Sequence, residues 1–151
     1  MTQPLSSHGV ILKVGDGATP TEAFTEIAEL VDIAGPAISK GTHDAPNQNT
    51  DWMKRVVGLL NAGEVTFDVN FIPMEPTHNE TTGGLLAEIR KNVPTNWQMI
   101  YPDVETGTDS QWDMEAFLVN FEQDVPVDGI LKSSVTLLIN GEPTLTEGVP
   151  T

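Results

Sequence analysis

The chain has 151 residues, with 22 acidic and 7 basic side chains, no cysteine and a formal net charge of −15. This length is typical of one domain with its own core, and the lack of cysteine excludes disulfides and thiolate metal sites. The shortage of lysine and arginine disfavours binding to a nucleic-acid backbone, and no apolar run approaches the roughly 18 residues of a membrane span. The first residues carry no export signal, so we expect a soluble protein without a membrane segment.

Glycine and proline divide the first part of the chain at short intervals, and β-branched and aromatic residues lie between them. This pattern predicts strands joined by turns. A first strand over Val10–Val14 ends at the turn Gly15-Asp16-Gly17. A second runs from Phe24 to Ile33 and stops before Gly35-Pro36, and Ala37–Asp44 is a third candidate.

The range 42–61 is polar at first and becomes amphipathic from Trp52 onward. We predict a long extended loop here, and loops longer than about 12–15 residues are usually functional or disordered. Lys54 and Arg55 suit an acidic surface on another copy of the protein. The predicted contact residues of this loop are Thr42, His43, Asp44, Asp51, Trp52, Met53, Lys54 and Arg55.

The second half continues the strand pattern around one helix candidate. Residues 65–71 alternate between apolar and polar side chains, which predicts a strand with one buried face. The range 81–92 is the one good helix candidate, and the tail 142–151 is expected to be loosely held. Further strands are predicted over Trp97–Tyr101, Trp112–Glu122 and Ile130–Ile139. The predicted fold is mainly β: a sandwich or barrel-like single domain over 1–141, with seven or eight strands and one flanking helix.

A search for reactive groups finds no catalytic constellation. His8, His43 and His78 are about 35 residues apart and form no close ligand pair, so we interpret them as surface or loop imidazoles. The glycine clusters lack phosphate-binding spacing, and the acidic segment 103–115 lacks the register of a calcium loop. We therefore expect no catalytic residue, no metal and no cofactor, and a protein that is not an enzyme.

An ordered set of short motifs gives a more specific indication. It begins with Gly35-Pro36 before a strand, followed by Lys40-Gly41-Thr42-His43, a long loop containing Arg55, and Gly58–Phe67 leading to Phe71-Ile72-Pro73. It continues with Tyr101-Pro102-Asp103, Phe117–Phe121, Pro126-Val127-Asp128 and a last strand to Gly141. Together these motifs resemble the tail tube (major tail) protein of long-tailed phages over nearly the whole chain.

The resemblance implies six subunits per ring with their sheets joined into an inner barrel. The rings would stack around a tape-measure protein, whose release opens a channel for DNA ejection. It implies that the loop 42–61 reaches an adjacent ring, that tail terminator and tail-tip proteins are partners, and that the protein is located in the virion tail after assembly in the host cytoplasm.

The acidic charge admits two interpretations. An acidic lumen wall would let DNA pass without binding, but acidic charge also keeps a concentrated protein soluble. Asp68, Asp113 and Glu115 alternate with apolar neighbours and are the candidates for an acidic lumen face; an outer surface is the alternative.

Rival functions remain open at this point. A tail terminator, a capsid decoration subunit or a secretion-system tube subunit would share a ring-forming β-architecture. A glycan-binding module of a tail tip would use Trp52, Trp97 and Trp112 as a sugar platform. All three tryptophans lie near predicted turns or strand ends, where we expect full burial to be difficult, and for Trp52 we favour an interface.

Overall fold

The computed structural model describes residues 4–151, so the first three residues of the expected domain 1–141 lie outside it. Its elements in chain order are β1 (Ile11–Gly15), β2 (Phe24–Glu26), β3 (Leu30–Ala34), β4 (Ser39–Asp44), β5 (Arg55–Asn61), β6 (Glu64–Asn70), α1 (Leu85–Glu88), β7 (Thr95–Ile100), β8 (Gly107–Thr108), β9 (Gln111–Asp124), β10 (Lys132–Ile139), β11 (Thr144–Thr146) and β12 (Val149–Pro150). The mainly β prediction is confirmed. The strand count exceeds the predicted seven or eight because several strands have only two or three residues, too few to show a period in sequence.

Most strands form one antiparallel sheet in the order β2-β1-β7-β9-β10-β6-β3, and β11 pairs with the start of β9. The long strand β9 changes partner at Ala116, which lies opposite Thr95 of β7 and Ile139 of β10. Strands β1, β6, β7, β9 and β10 all contribute buried apolar side chains to one core. The second half of β9 therefore belongs to a four-stranded part of the sheet, β3-β6-β10-β9.

The alternation predicted for residues 65–71 is present in β6. Val65, Phe67 and Val69 are buried, and the intervening side chains face outward. Phe67 packs against Trp97, with ring centroids 6.4 Å apart. Trp97 is fully buried within β7, so the expectation that it would resist burial at a strand end is wrong. Core side chains from the neighbouring strands cover the Trp97 ring.

The helix predicted over 81–92 is reduced to the single turn α1. Gly83 has φ +92°, which a right-handed helix excludes, and Gly84 at the N-cap is extended. Beyond α1, Arg90 and Lys91 donate to carbonyls only three residues back, so the chain tightens and leaves the helix. None of the helical segments in residues 4–151 has the length or apolar character to cross a membrane.

The strand predicted over 24–33 is divided into β2 and β3. Between them Glu29 adopts φ +56°, and Ala28 accepts a hydrogen bond of 2.7 Å from Nε2 of His78. The Nδ1 atom of His78 accepts from the backbone N–H of Ile72 at 3.1 Å, and its ring stacks on Phe71. His78 therefore lies in a loop, one of the two expected alternatives, but it is buried and not at the surface, and it links two connections of the chain.

The tail 142–151 is paired along much of its length, contrary to the expectation of a loose terminus. Strand β11 pairs with β9, and β12 pairs with β8. Between them the N–H of Gly148 donates to Oγ of Ser110 at 2.7 Å. These hydrogen bonds join the tail to segments that precede it by about 30–40 residues. A local sequence pattern cannot predict partners so far away in the chain.

Ser110 is itself held by Asp103. The backbone N–H of Ser110 donates to Oδ1 of Asp103 at 2.8 Å, and its hydroxyl donates to Oδ2. The hydroxyl, and then the N–H, lower the pKa of the Asp103 carboxyl below its ordinary value of 3.8, because both stabilise the charged form. Asp103, Ser110 and Gly148 form one chain of contacts to the tail.

Candidate functional site

Residues 39–61 form a hairpin, which we call the arm. Every residue of β4 and β5 is exposed, and within the described residues the two strands pair only with each other. The range 42–61, predicted as a loop, is therefore largely a two-stranded ribbon with a connection over 45–54. Its register places Thr42 opposite Val57 and Asp44 opposite Arg55. The third strand candidate, Ala37–Asp44, is confirmed as β4. Strand β5 was not predicted, because neither of its faces is buried and its apolar residues do not alternate.

The arm exposes an unusual amount of apolar surface. Leu59 is 90% exposed and Trp52, at the tip, is 84% exposed. An isolated two-stranded hairpin is marginally stable in water, and contiguous exposed apolar surface marks an interaction site. The exposed apolar surface of the arm is therefore a candidate interaction surface. Its exposed apolar side chains are Trp52, Met53, Val56, Val57, Leu59 and Leu60.

All eight predicted contact residues lie on the arm. Three are in β4, Arg55 begins β5, and the remaining four occupy the tip. Nε of Arg55 lies 3.2 Å from Oδ1 of Asp44, an exposed ion pair worth about 0–1 kcal/mol. At the tip, the N–H of Trp52 donates to Oγ1 of Thr50. The prediction did not include four further exposed apolar residues of β5, because exposure on both faces of a ribbon leaves no period in the sequence; they are Val56, Val57, Leu59 and Leu60.

Two glycines form the joint between the arm and the sheet. The final pair of the β3–β6 ladder is Ala34 with Thr66, and the arm begins with the pairing of Ser39 with Asn61. Gly35 has φ +118° and Gly63 has φ +72°. A Cβ on Gly63 would lie 2.5 Å from the carbonyl oxygen of Ala37. The arm therefore extends the β3–β6 ribbon past one end of the sheet through a joint that requires glycine.

The arm differs from the remainder of the chain in charge. It has three basic residues, Lys40, Lys54 and Arg55, and two acidic ones, giving a net charge of +1. The remaining residues include four basic and twenty acidic side chains and so carry −16. Opposite charges on two surfaces of one chain favour contact between copies.

The four-stranded part β3-β6-β10-β9 has two open edges. Within the described residues, β3 forms a ladder with β6 alone. Residues 117–124 of β9 pair with β10 on one side. On their other side they have no strand partner, because the β7–β9 ladder ends where Thr95, the first residue of β7, lies opposite Ala116. Unpaired strand edges recruit further strands.

The exposed side of this part carries a row of acidic side chains. Asp32 of β3 lies opposite Asp68 of β6, which lies opposite Ser134 of β10, which lies opposite Glu122 of β9. The hydroxyl of Ser134 donates to Oδ1 of Asp68 at 2.6 Å. We call Asp32, Asp68 and Glu122 the acidic row.

The structure does not bring Asp68 together with Asp113 and Glu115. Asp113 lies opposite Gln98 of β7, and Glu115 accepts a hydrogen bond from the Asn140 side chain, both in the first half of β9. Sequence analysis missed Asp32 and Glu122 because register shifts in β3 and in the β9–β10 ladder displace the two-residue period.

The three tryptophans do not form a platform. Trp97 is buried, Trp52 lies at the tip of the arm, and Trp112 lines an apolar cleft at the root of the arm with Ile38, Leu60 and Leu145. Among residues 4–151, no group of three or more His, Asp or Glu side chains is arranged to hold a metal ion.

Comparison with solved structures shows the same fold in several tube assemblies. The chain aligns with a structure from the anti-feeding prophage cap at a TM-score of 0.72 and 13% identity, covering 97% of this chain and 93% of that one. It aligns with one from the tail of an empty gene transfer agent particle, refined with C6 symmetry, at 0.69 and 13%, covering 95% and 99%. For the SPP1 tail tube the values are 0.67 and 12%, covering 98% and 81%.

A search of curated proteins found no match. A family model described as lambda phage tail tube protein, however, matches residues 15–146, which is most of the chain. The chain belongs to the lambda phage tail tube protein family and is a structural protein of the phage tail tube.

Proposed function

We propose that the chain polymerises as six-membered rings that stack into the tail tube, the conduit for genome ejection. The observation that carries this proposal is the combination of two open edges and one exposed arm on the same four-stranded part of the sheet. The gene transfer agent tail, which has the same fold, was refined with C6 symmetry. That symmetry supports six copies per ring here.

Ring closure would use the open edges. The edge of β3 in one copy pairs with residues 117–124 of β9 in the next, a head-to-tail contact that closes under rotation. Closure removes both exposed edges and joins the four-stranded parts into one inner barrel.

The acidic row would then face the lumen. In this proposal Asp68 faces the lumen, as expected from the sequence, together with Asp32 and Glu122. Asp113 and Glu115 lie on another part of the sheet and are not part of this lumen face. Carboxylates repel DNA phosphates, so the genome passes without binding to the wall.

The arm would contact the adjacent ring. Its apolar surface gains a partner there, and the cost of ordering the tip is met by the added contacts. The tape-measure, tail terminator and tail-tip proteins are the further partners in this proposal. The location is the virion tail, after assembly in the host cytoplasm.

Deletion of residues 47–54 tests the proposal. The strands β4 and β5 remain, and the deletion removes the exposed tip, so we expect a folded protein by circular dichroism that forms no tubes in negative-stain micrographs. Val93→Ser changes an exposed apolar residue outside the arm and should leave tubes intact. Normal tubes from the deletion would contradict the proposal, and single rings from the unaltered chain would indicate a terminator instead.

A further inference from the structure

The turn between β9 and β10, residues 125–131, is a second exposed apolar surface. Val125 is 72% exposed, Ile130 is 61% exposed and Val127 is fully exposed. Asp124 precedes these residues and Asp128 lies among them, and within the described part of the chain neither carboxylate forms an ion pair. The turn is anchored to the body by the N–H of Phe71, which donates to the carbonyl of Leu131 at 2.9 Å.

The turn and the arm lie at opposite ends of the sheet. The arm leaves where β6 begins, beyond the pairing of Thr66 with Ala34. The turn lies beyond the other end of β6, where Asn70 pairs with Lys132 and Lys132 pairs with Asp124. A contact that joins opposite ends of two copies repeats with one polarity and builds an open stack.

We propose that the β9–β10 turn is the receiving site for the arm of a second copy in the adjacent ring. This inference rests on the proposed function and specifies the partner surface of the arm. Trp52 and Met53 cover Val125, Val127 and Ile130, so apolar surface on both copies leaves water.

Charge complementarity selects this pairing. Lys54 at the tip of the arm forms no ion pair with the described residues of its own copy. The ends of β9 and β10 together with their turn, residues 122–132, carry three acidic residues and one lysine, a net charge of −2. The arm carries +1. In the stacked pair Lys54 lies beside Asp124 or Asp128. If one of the two copies were turned over, its arm would meet the arm of the other copy, and the two like charges would repel each other.

The apolar cleft at the root of the arm is the competing receptor. Leu145 and Trp112 line it, but it lies at the same end of the molecule as the arm itself. An arm docked there would join copies through equivalent ends, or side by side within one ring, rather than from ring to ring.

Disulfide trapping distinguishes the two receptors. The chain has no cysteine, so each introduced thiol is the only one in its copy. A tagged Met53→Cys protein is mixed with untagged Val127→Cys protein, concentrated, oxidised in air and analysed on a non-reducing gel. We expect the mixed dimer in the tube fraction. The matched control pairs Met53→Cys with Leu145→Cys and should give at least about tenfold less mixed dimer.

A charge exchange gives an independent readout. Lys54→Glu and Asp128→Lys should each reduce pelletable tubes about tenfold, and the double variant should restore them, because the ion pair re-forms in reverse. Two results would overturn the inference: tubes in which Met53→Cys is trapped only with Leu145→Cys, or a double variant that forms no more tubes than either single variant. In both cases the proposal that rings stack into a tube still stands. A chain that forms no tubes in any mixture overturns both.

Discussion

Asp32 of β3 and Asp68 of β6 lie opposite each other on the exposed side of the sheet, so two carboxylates are cross-strand neighbours. Like charges directly opposite on adjacent strands destabilise a sheet, by about 0.2–1 kcal/mol. The Ser134 hydroxyl donates a hydrogen bond to Asp68, which offsets part of the repulsion at that carboxylate. The pair therefore opposes folding of the single subunit, and the proposed lumen face would give these two carboxylates a role.

Asp32→Asn should raise the free energy of unfolding by about 0.2–1 kcal/mol, because it removes that repulsion. The gain should shrink at high ionic strength, where exposed charges are screened. Urea denaturation at low and high salt measures both effects. Asp51→Asn, at the tip of the arm, is the control and should change little; a less stable Asp32→Asn protein would refute the repulsion.

Charge reversal of the acidic row should make tubes retain DNA. Asp32→Lys, Asp68→Lys and Glu122→Lys together replace three carboxylates with cations that bind phosphate. Short duplex DNA should co-sediment with these tubes at low salt and be released at high salt. The control carries Asp113→Lys and Glu115→Lys; if it retains as much DNA, the acidic row does not line the lumen.

Gly63→Ala should destabilise the protein more than Gly17→Ala, although both glycines have φ +72°. The backbone conformation costs about 1–3 kcal/mol at either site. At Gly63 the new Cβ would also meet the carbonyl oxygen of Ala37 at 2.5 Å, whereas nothing lies within 4 Å at Gly17. Thermal unfolding compares the two, and equal losses would show that the joint tolerates the side chain.

Trp97→Ala and Trp52→Ala should have opposite effects. Removal of the buried Trp97 ring leaves a cavity and should cost about 3–5 kcal/mol in unfolding free energy. Removal of the exposed Trp52 ring should change that free energy by less than about 0.5 kcal/mol and still abolish tubes. Denaturant titration and negative-stain microscopy check the two results; tubes formed normally by Trp52→Ala would exclude it as an anchor.

Asp103→Asn should destabilise the protein at neutral pH and lose its effect in acid. Hydrogen bonds from Ser110 lower the pKa of the Asp103 carboxyl in the folded chain, so its stabilising contribution is fully present above the ordinary value of 3.8. The contribution disappears as pH falls through the lower folded pKa. Thermal unfolding from pH 7 downward should show the two proteins converging. Asp128→Asn, in the exposed turn, is the control and should show no such convergence.

Local patterns in the sequence were sufficient to identify the family, the mainly β class and the buried face of β6. These features are local: a two-residue period records which side of a strand faces the core, and short ordered motifs identify the family. The eight predicted contact residues also lie close together in sequence, so one segment brings them all to the arm. That part of the candidate site could be predicted for the same reason.

Three other features became visible in the folded chain: the arm is a ribbon, Trp97 is buried, and Asp68 lies in a row with Asp32 and Glu122 and not with Asp113. Each outcome depends on strand pairing between segments far apart in the chain, and register shifts change which side chains share a face. A ribbon exposed on both faces has no buried side, so its sequence shows no two-residue alternation of apolar and polar residues. Long-range backbone hydrogen bonds, which no local pattern records, thus set the neighbours from which the assembly surfaces are built.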